Sequence, residues 1–240
     1  MNFTDYAPPS PAGALRWWPL LWLALLAAAL LCPPAIFADS SAPTADDPAE
    51  VALRLQQTYD ATSSFRADFR QRTVVPMSRR QRAGEGSVIF KKPHLMRWEY
   101  EKPERQVLVG DGEQVKMYFA GSNQMMVQEV EDYLESDITY AFFSGSGDLL
   151  RDFEVKEVPD REALAEPGYQ LRLLPREPHP QVEHLDLLVE PESYLIRRLK
   201  IVDHFGSVTT LIFRNIELDP ELAADFYRFE PPAGTEILGR

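Results

Sequence analysis

Apolar and polar positions alternate over much of this chain. Phe65, Ala67 and Phe69 alternate with Arg66, Asp68 and Arg70, and Gly86, Val88 and Phe90 share one side of the next apolar segment. After Pro93 the apolar set is Met96, Trp98 and Tyr100, interleaved with Arg97 and Glu99. A period of two predicts strands with one greasy face and one wet face. Further strands are expected at 106–109 and 114–119, a hairpin turning through Gly110-Asp111-Gly112, and at 124–130 beyond Gly121-Ser122-Asn123. More follow at 152–158, 169–174, 182–190, 194–203, 207–217 and 226–229.

Two stretches break the alternation. From about Ala49, Val51, Leu55, Tyr59 and Thr62 recur near one face of a helix, with Leu53 on its shoulder. Between 131 and 150, Ile138, Tyr140, Phe142, Phe143, Leu149 and Leu150 cluster without strict period around Ser-Gly-Ser-Gly, which predicts one or two short helices about a flexible loop. Pro76–Gln81 reads as a basic loop. Many strands with few helices imply one curved antiparallel sheet or partial barrel, whose apolar face the helices must cover.

The first 38 residues read as a cleavable secretion signal: Arg16, an apolar run from Trp17 to Leu31, and a cleavage site after Ala38. Residues 39–48 read as a flexible mature N-terminus and 49–240 as a single domain. Cys32, the only cysteine, lies in the signal segment, so a chain cut after Ala38 has no thiol chemistry. Leu31 before it is too large for the usual lipidation site.

The net charge of −12 argues against nucleic-acid binding. The charge is uneven: twelve Lys/Arg against seven Asp/Glu over 49–105, and twelve against twenty-six over 106–240. Either this is ordinary solvated surface, or the molecule is dipolar and faces two different partners. No phosphate-binding loop is present, Gly145-Ser146-Gly147 is not a nucleophile elbow, and His94, His179, His184 and His204 lack metal-ligand spacing. The expectation is a non-enzyme without cofactor or metal.

SSFRADFRQ at 63–71, GEGSVIFKKPHLMRWEY at 84–100, QVLVGDGEQVKMYF at 106–119 and DFYRFEPPAGTEIL at 225–238 together resemble the outer-membrane lipoprotein carrier (LolA) family, in the family's order. The resemblance implies a mainly β fold, an open antiparallel barrel of about eleven strands with a lid of short helices over an apolar cavity. It implies a monomeric periplasmic carrier that accepts lipoproteins from an ATP-driven inner-membrane release complex, shelters their acyl chains, and hands them to an acceptor lipoprotein of the outer membrane. The family's basic residue before Pro93 latches the lid and is usually arginine. Here it is Lys92, which lacks the planar fork. Val88, Phe90, Met96, Trp98 and Tyr100 are the expected acyl-chain lining, and Tyr59, Ile138, Phe142 and Phe143 the expected lid residues. Each is open to a second reading as permanently packed core.

Other classes share these features. A lipid- or lipoprotein-sensing regulatory module would carry a further domain, which an end soon after Gly234 disfavours. An outer-membrane acceptor of the same fold would be acylated at Cys32. A lipid-acting enzyme would turn over its ligand. The identity of the carried lipoproteins or lipids is not written in the sequence.

Overall fold

The computed structural model describes residues 47–76, 80–223 and 225–239. The expected secretion signal, Cys32, the tail up to residue 46, and residues 77–79 of the basic loop lie outside the described residues.

Helix α1 spans Pro48–Ala61. Asp47 caps it, its side chain accepting from the Ala49 N–H at 3.0 Å, and Pro48 follows in the first turn where no donor is missed. It buries Val51, Ala52, Leu55 and Tyr59 and leaves Leu53 exposed, as the helical spacing requires. The Thr62 N–H closes it by donating to Tyr59 O.

The strands are β1 (Ser64–Val75), β2 (Arg80–Lys91), β3 (Leu95–Lys102), β4 (Gln106–Asp111), β5 (Gln114–Phe119), β6 (Gln124–Glu129), β7 (Phe153–Glu157), β8 (Tyr169–Pro175), β9 (His184–Val189), β10 (Ile196–Val202), β11 (Val208–Leu218) and β12 (Glu236–Leu238). They form one sheet in the order β12-β6-β5-β4-β3-β2-β1-β11-β10-β9-β8-β7. Every pairing is antiparallel except β12 on β6, and the outermost strands β12 and β7 do not join, so the sheet stays open. Pairing β1 with β11 places the first strand at the centre of the sheet.

Register lines up the apolar sets. Ala67, Val88 and Trp98 lie opposite one another across β1, β2 and β3, and so do Phe65, Phe90 and Met96. Phe69 sits between Gly86 and Phe213. With period two, these residues share one face, and that inner face carries the main core. A smaller cluster of Val107, Val109, Tyr118 and Met125 lies on the outer face of β4–β6, packed with Phe229.

Three elements differ from expectation. Strand β2 starts at Arg80, whose partner is Val75, so the basic loop is shorter than Pro76–Gln81. The segment after β6 holds three short helices, α2 (Val130–Ser136), α3 (Ile138–Phe143) and α4 (Leu149–Asp152). Two aspartates divide it: Asp137 accepts from the Tyr140 N–H, and Asp148 from Leu150 and Arg151. Residues 226–229 form turns, not a strand. The Phe226 N–H donates to Ala223 O and the Arg228 N–H to Asp225 O, and the Arg97 guanidinium donates to Phe226 O at 3.0 Å. The apolar alternation there comes from Phe229 anchoring on the outer cluster, and a ladder forms only further on, at β12.

Candidate functional site: a helix-covered apolar face

The floor of the site comes from β1, β2, β3 and β11. Phe65, Phe69, Val88, Phe90, Met96, Trp98 and Phe213 are buried there. The Phe69 ring centroid lies 4.9 Å from those of Trp98 and Tyr100. Four of the five expected lining residues, Val88, Phe90, Met96 and Trp98, are buried. Tyr100 is half-buried, and its hydroxyl donates to Gln71 Oε1 at 2.6 Å.

The cover comes from α1, α2 and α3. Phe143 stacks on Phe90 at 5.0 Å and on Phe65 at 5.3 Å, and meets Phe213 edge-on at 5.9 Å. Tyr59 packs on Phe65, Phe142 and Phe143, and its hydroxyl accepts from the Ile196 N–H at 3.2 Å. Burial pushes the Tyr59 phenol well above its ordinary range, so it stays neutral. Ile138 and Phe142 are partly buried against the same cluster. The structure thus brings Tyr59, Ile138, Phe142 and Phe143 together over the floor that holds Val88, Phe90, Met96 and Trp98.

The β2–β3 turn ties this cover down at two points. Lys92 Nζ donates to Tyr59 O at 2.6 Å, with Asp60 O at 3.5 Å. These carbonyls end α1, which has no basic residue in its last turn, so Lys92 supplies the cation that a helix C-terminus favours. The Lys92 stem also runs beside the α3–α4 connection: a Cβ on Gly145, whose φ is +89°, would fall 3.0 Å from Lys92 Cδ and Cε. The second tie is the Tyr140 hydroxyl, which donates to His94 O at 2.5 Å. It passes over Gly110, where a Cβ would lie 2.7 Å from that hydroxyl.

A cavity of about 210 Å³ remains between floor and cover, bordered by Phe90, Met96, Trp98, Leu108, Tyr133 and Tyr140 among others. That is smaller than the roughly 300–1,000 Å³ of ordinary ligand pockets. Asp137 also borders it and accepts from the Tyr133 hydroxyl at 3.1 Å. Burial first, and Asp137 second, push the Tyr100 phenol up to about 12. A second, larger groove of about 480 Å³ is bordered by Leu134, Ile138, Phe142, Leu149 and Phe153. No helix among the described residues is long and apolar enough to cross a membrane.

Sequence reasoning did not single out Tyr133, Tyr140, Phe65, Phe69 or Phe213 for the site. Tyr140 was within reach, because it precedes Phe143 by three residues and so shares its helix face. The backbone acceptor at His94 and the clearance at Gly110 have no signature in a linear pattern.

Floor, cover and ties define a class: an open antiparallel sheet with one apolar face closed by short helices. The chain belongs to the LolA family, since residues 60–230 match the model for outer membrane lipoprotein carrier protein LolA. An outer-membrane lipoprotein carrier protein of Bordetella avium is 31% identical over 175 residues, 73% of this chain and 80% of that protein. A protein of the same description from Nitrosomonas europaea is 30% identical over 190 residues, covering 79% and 89%. A solved LolA-superfamily structure from Nitrosomonas europaea matches with a TM-score of 0.42 and 11% identity over 76% of this chain and 97% of that one.

Proposed function

We propose that this protein is a periplasmic carrier of outer-membrane lipoproteins. It takes its cargo from an ATP-driven release complex of the inner membrane, holds the acyl chains against the inner face of the sheet, and delivers them to an acceptor at the outer membrane. The observation that carries the reading is the cover itself. Rings of α1 and α3 occupy the floor of aromatic and aliphatic side chains, held by two hydrogen bonds from one turn. Lys92 and the Tyr140–His94 contact act as the latch, and Val88, Phe90, Met96, Trp98 and Tyr100 become the acyl-chain lining once the helices lift.

Magnitudes define the division of labour. Burying a methylene is worth roughly 0.8 kcal/mol, so three chains of about 16 carbons represent roughly 35 kcal/mol or more. Non-covalent affinity stops near 18–21 kcal/mol. A passive carrier therefore does not pull such cargo out of a bilayer through water. A partner does the work, and the lipid passes directly between proteins. The cavity of about 210 Å³ is too small for that cargo, so loading requires the cover to move.

Native mass spectrometry of the protein isolated from the cell envelope tests this. The expected result is a one-to-one complex with acylated lipoproteins. Recovery only of lipids that carry no protein would redirect the reading to a lipid carrier of the same fold.

A further inference from the structure

We propose that the indole N–H of Trp98 donates a hydrogen bond to the ester carbonyl at the head of an acyl chain held in the cavity. The inference rests on the carrier reading and adds which part of the cargo this residue recognises.

Among the described residues, the buried polar side-chain atoms around the cavity are, with one exception, paired within the protein. The Tyr100 hydroxyl donates to Gln71, the Tyr133 hydroxyl to Asp137, and the Tyr140 hydroxyl to His94 O. The Thr209 hydroxyl pairs with that of Thr73. The exception is Trp98. It borders the cavity, the residue is 7% exposed, and its Nε1 is buried with no acceptor among the described residues.

An unpaired buried donor costs about 1–3 kcal/mol, and a buried tryptophan ordinarily finds a partner. A site that held hydrocarbon alone would leave this donor unpaired and would be served as well by phenylalanine. An ester carbonyl is an acceptor without a donor. It therefore satisfies the indole and leaves no proton of its own unpaired in an apolar setting. It also adjoins the first methylene of each chain, so binding there draws the head of the chain in among Phe90, Met96 and Tyr140, which border the same cavity.

The test compares two lipids that differ by one carbonyl, 1-palmitoylglycerol and its 1-O-hexadecyl ether, on exported protein labelled with 15N-tryptophan. Trp98→Phe assigns the resonance, since the remaining tryptophans lie at 17, 18 and 22. The expected result is a downfield shift of the Trp98 indole proton with the ester and none with the ether. Binding of the ester should be about three- to ten-fold tighter, the range of one net hydrogen bond. In Trp98→Phe the two lipids should bind alike. Equal affinities and equal indole shifts in the unaltered protein overturn the role of Trp98 and leave the carrier reading standing. Failure of both lipids to bind also overturns the role of Trp98, while the carrier reading stands or falls on the native mass spectrometry. The resonance is read in the unaltered chain, so a poorly folded variant does not decide the outcome.

Discussion

Lys92 joins three pieces of the molecule with one side chain. Its backbone sits in the β2–β3 turn, its ammonium reaches the last carbonyls of α1, and its stem lies against the α3–α4 connection at Gly145. A hydrogen bond from a charged donor is worth about 1.5–3 kcal/mol where it is partly shielded. Lysine has three donors but no planar fork, so it holds Tyr59 O closely and Asp60 O only at 3.5 Å, where a guanidinium would fork over two. Lys92→Leu removes the donor and leaves a shorter, branched apolar side chain. Hydrogen exchange should then quicken in the last turn of α1 by at least about ten-fold, the equivalent of about 1.4 kcal/mol, while the β1 and β2 amides hold their protection. Delivery of lipoprotein should fall in parallel. Unchanged exchange at residues 57–62 would show that Lys92 is not a latch. The position of Lys92 before Pro93 was legible from the family motif. The acceptor at Tyr59 O was not, because a backbone carbonyl is the same atom at every residue and only the fold decides which one is near.

At the level of elements, the helices after β6 are short. α3 has 6 residues and α4 has 4, far below the length at which a helix holds together alone. They persist through their aspartate caps and, for α3, through the Phe143 ring it lays on the sheet, and elements of that kind open most readily. Gly110 is where this shows most clearly. A side chain there would strike the Tyr140 hydroxyl and push it off His94 O. Gly110→Val should therefore detach α3, lower stability by about 1–3 kcal/mol as overpacking does, and raise binding of a hydrophobic dye. Tyr140→Phe should give a milder version of the same change without the added bulk. If Gly110→Val leaves dye binding at the original level, α3 is not held through this contact. Alternation made the floor readable, because its period is fixed by the pleat: Val88, Phe90, Met96 and Trp98 fell on one face as the pattern required. The cover was read as one or two helices because caps such as Asp137 and Asp148 look like ordinary acids in an acidic chain. Residues 226–229 read as a strand in the linear pattern for a related reason. Phe229 packs outward onto Val107, Val109 and Tyr118, and that packing imitates the signature of a ladder.

For the whole molecule, the open sheet explains how one fold holds both a firm floor and a loose cover. The floor strands pair on both sides through the centre of the sheet, while the sheet ends in the short strands β7 and β12, which limits edge-to-edge association. The positive excess over 49–105 falls largely on β1–β3, where Arg66 pairs with Glu217 and Lys102 with Glu85 at exposed sites. Such exposed pairs contribute little to stability. In the proposed carrier, the inner face belongs to the cargo and to the cover in turn. Whatever occupies it must displace the rings of Tyr59, Tyr140 and Phe143, since the space left beside them is about 210 Å³. Hydrogen exchange of the protein with and without a tripalmitoylated lipopeptide reads this displacement directly. The account predicts that loading quickens exchange in the last turn of α1 and across α2 and α3, while β1, β2 and β3 stay protected. A stable one-to-one complex in which those helices remain as protected as in the empty protein would contradict it.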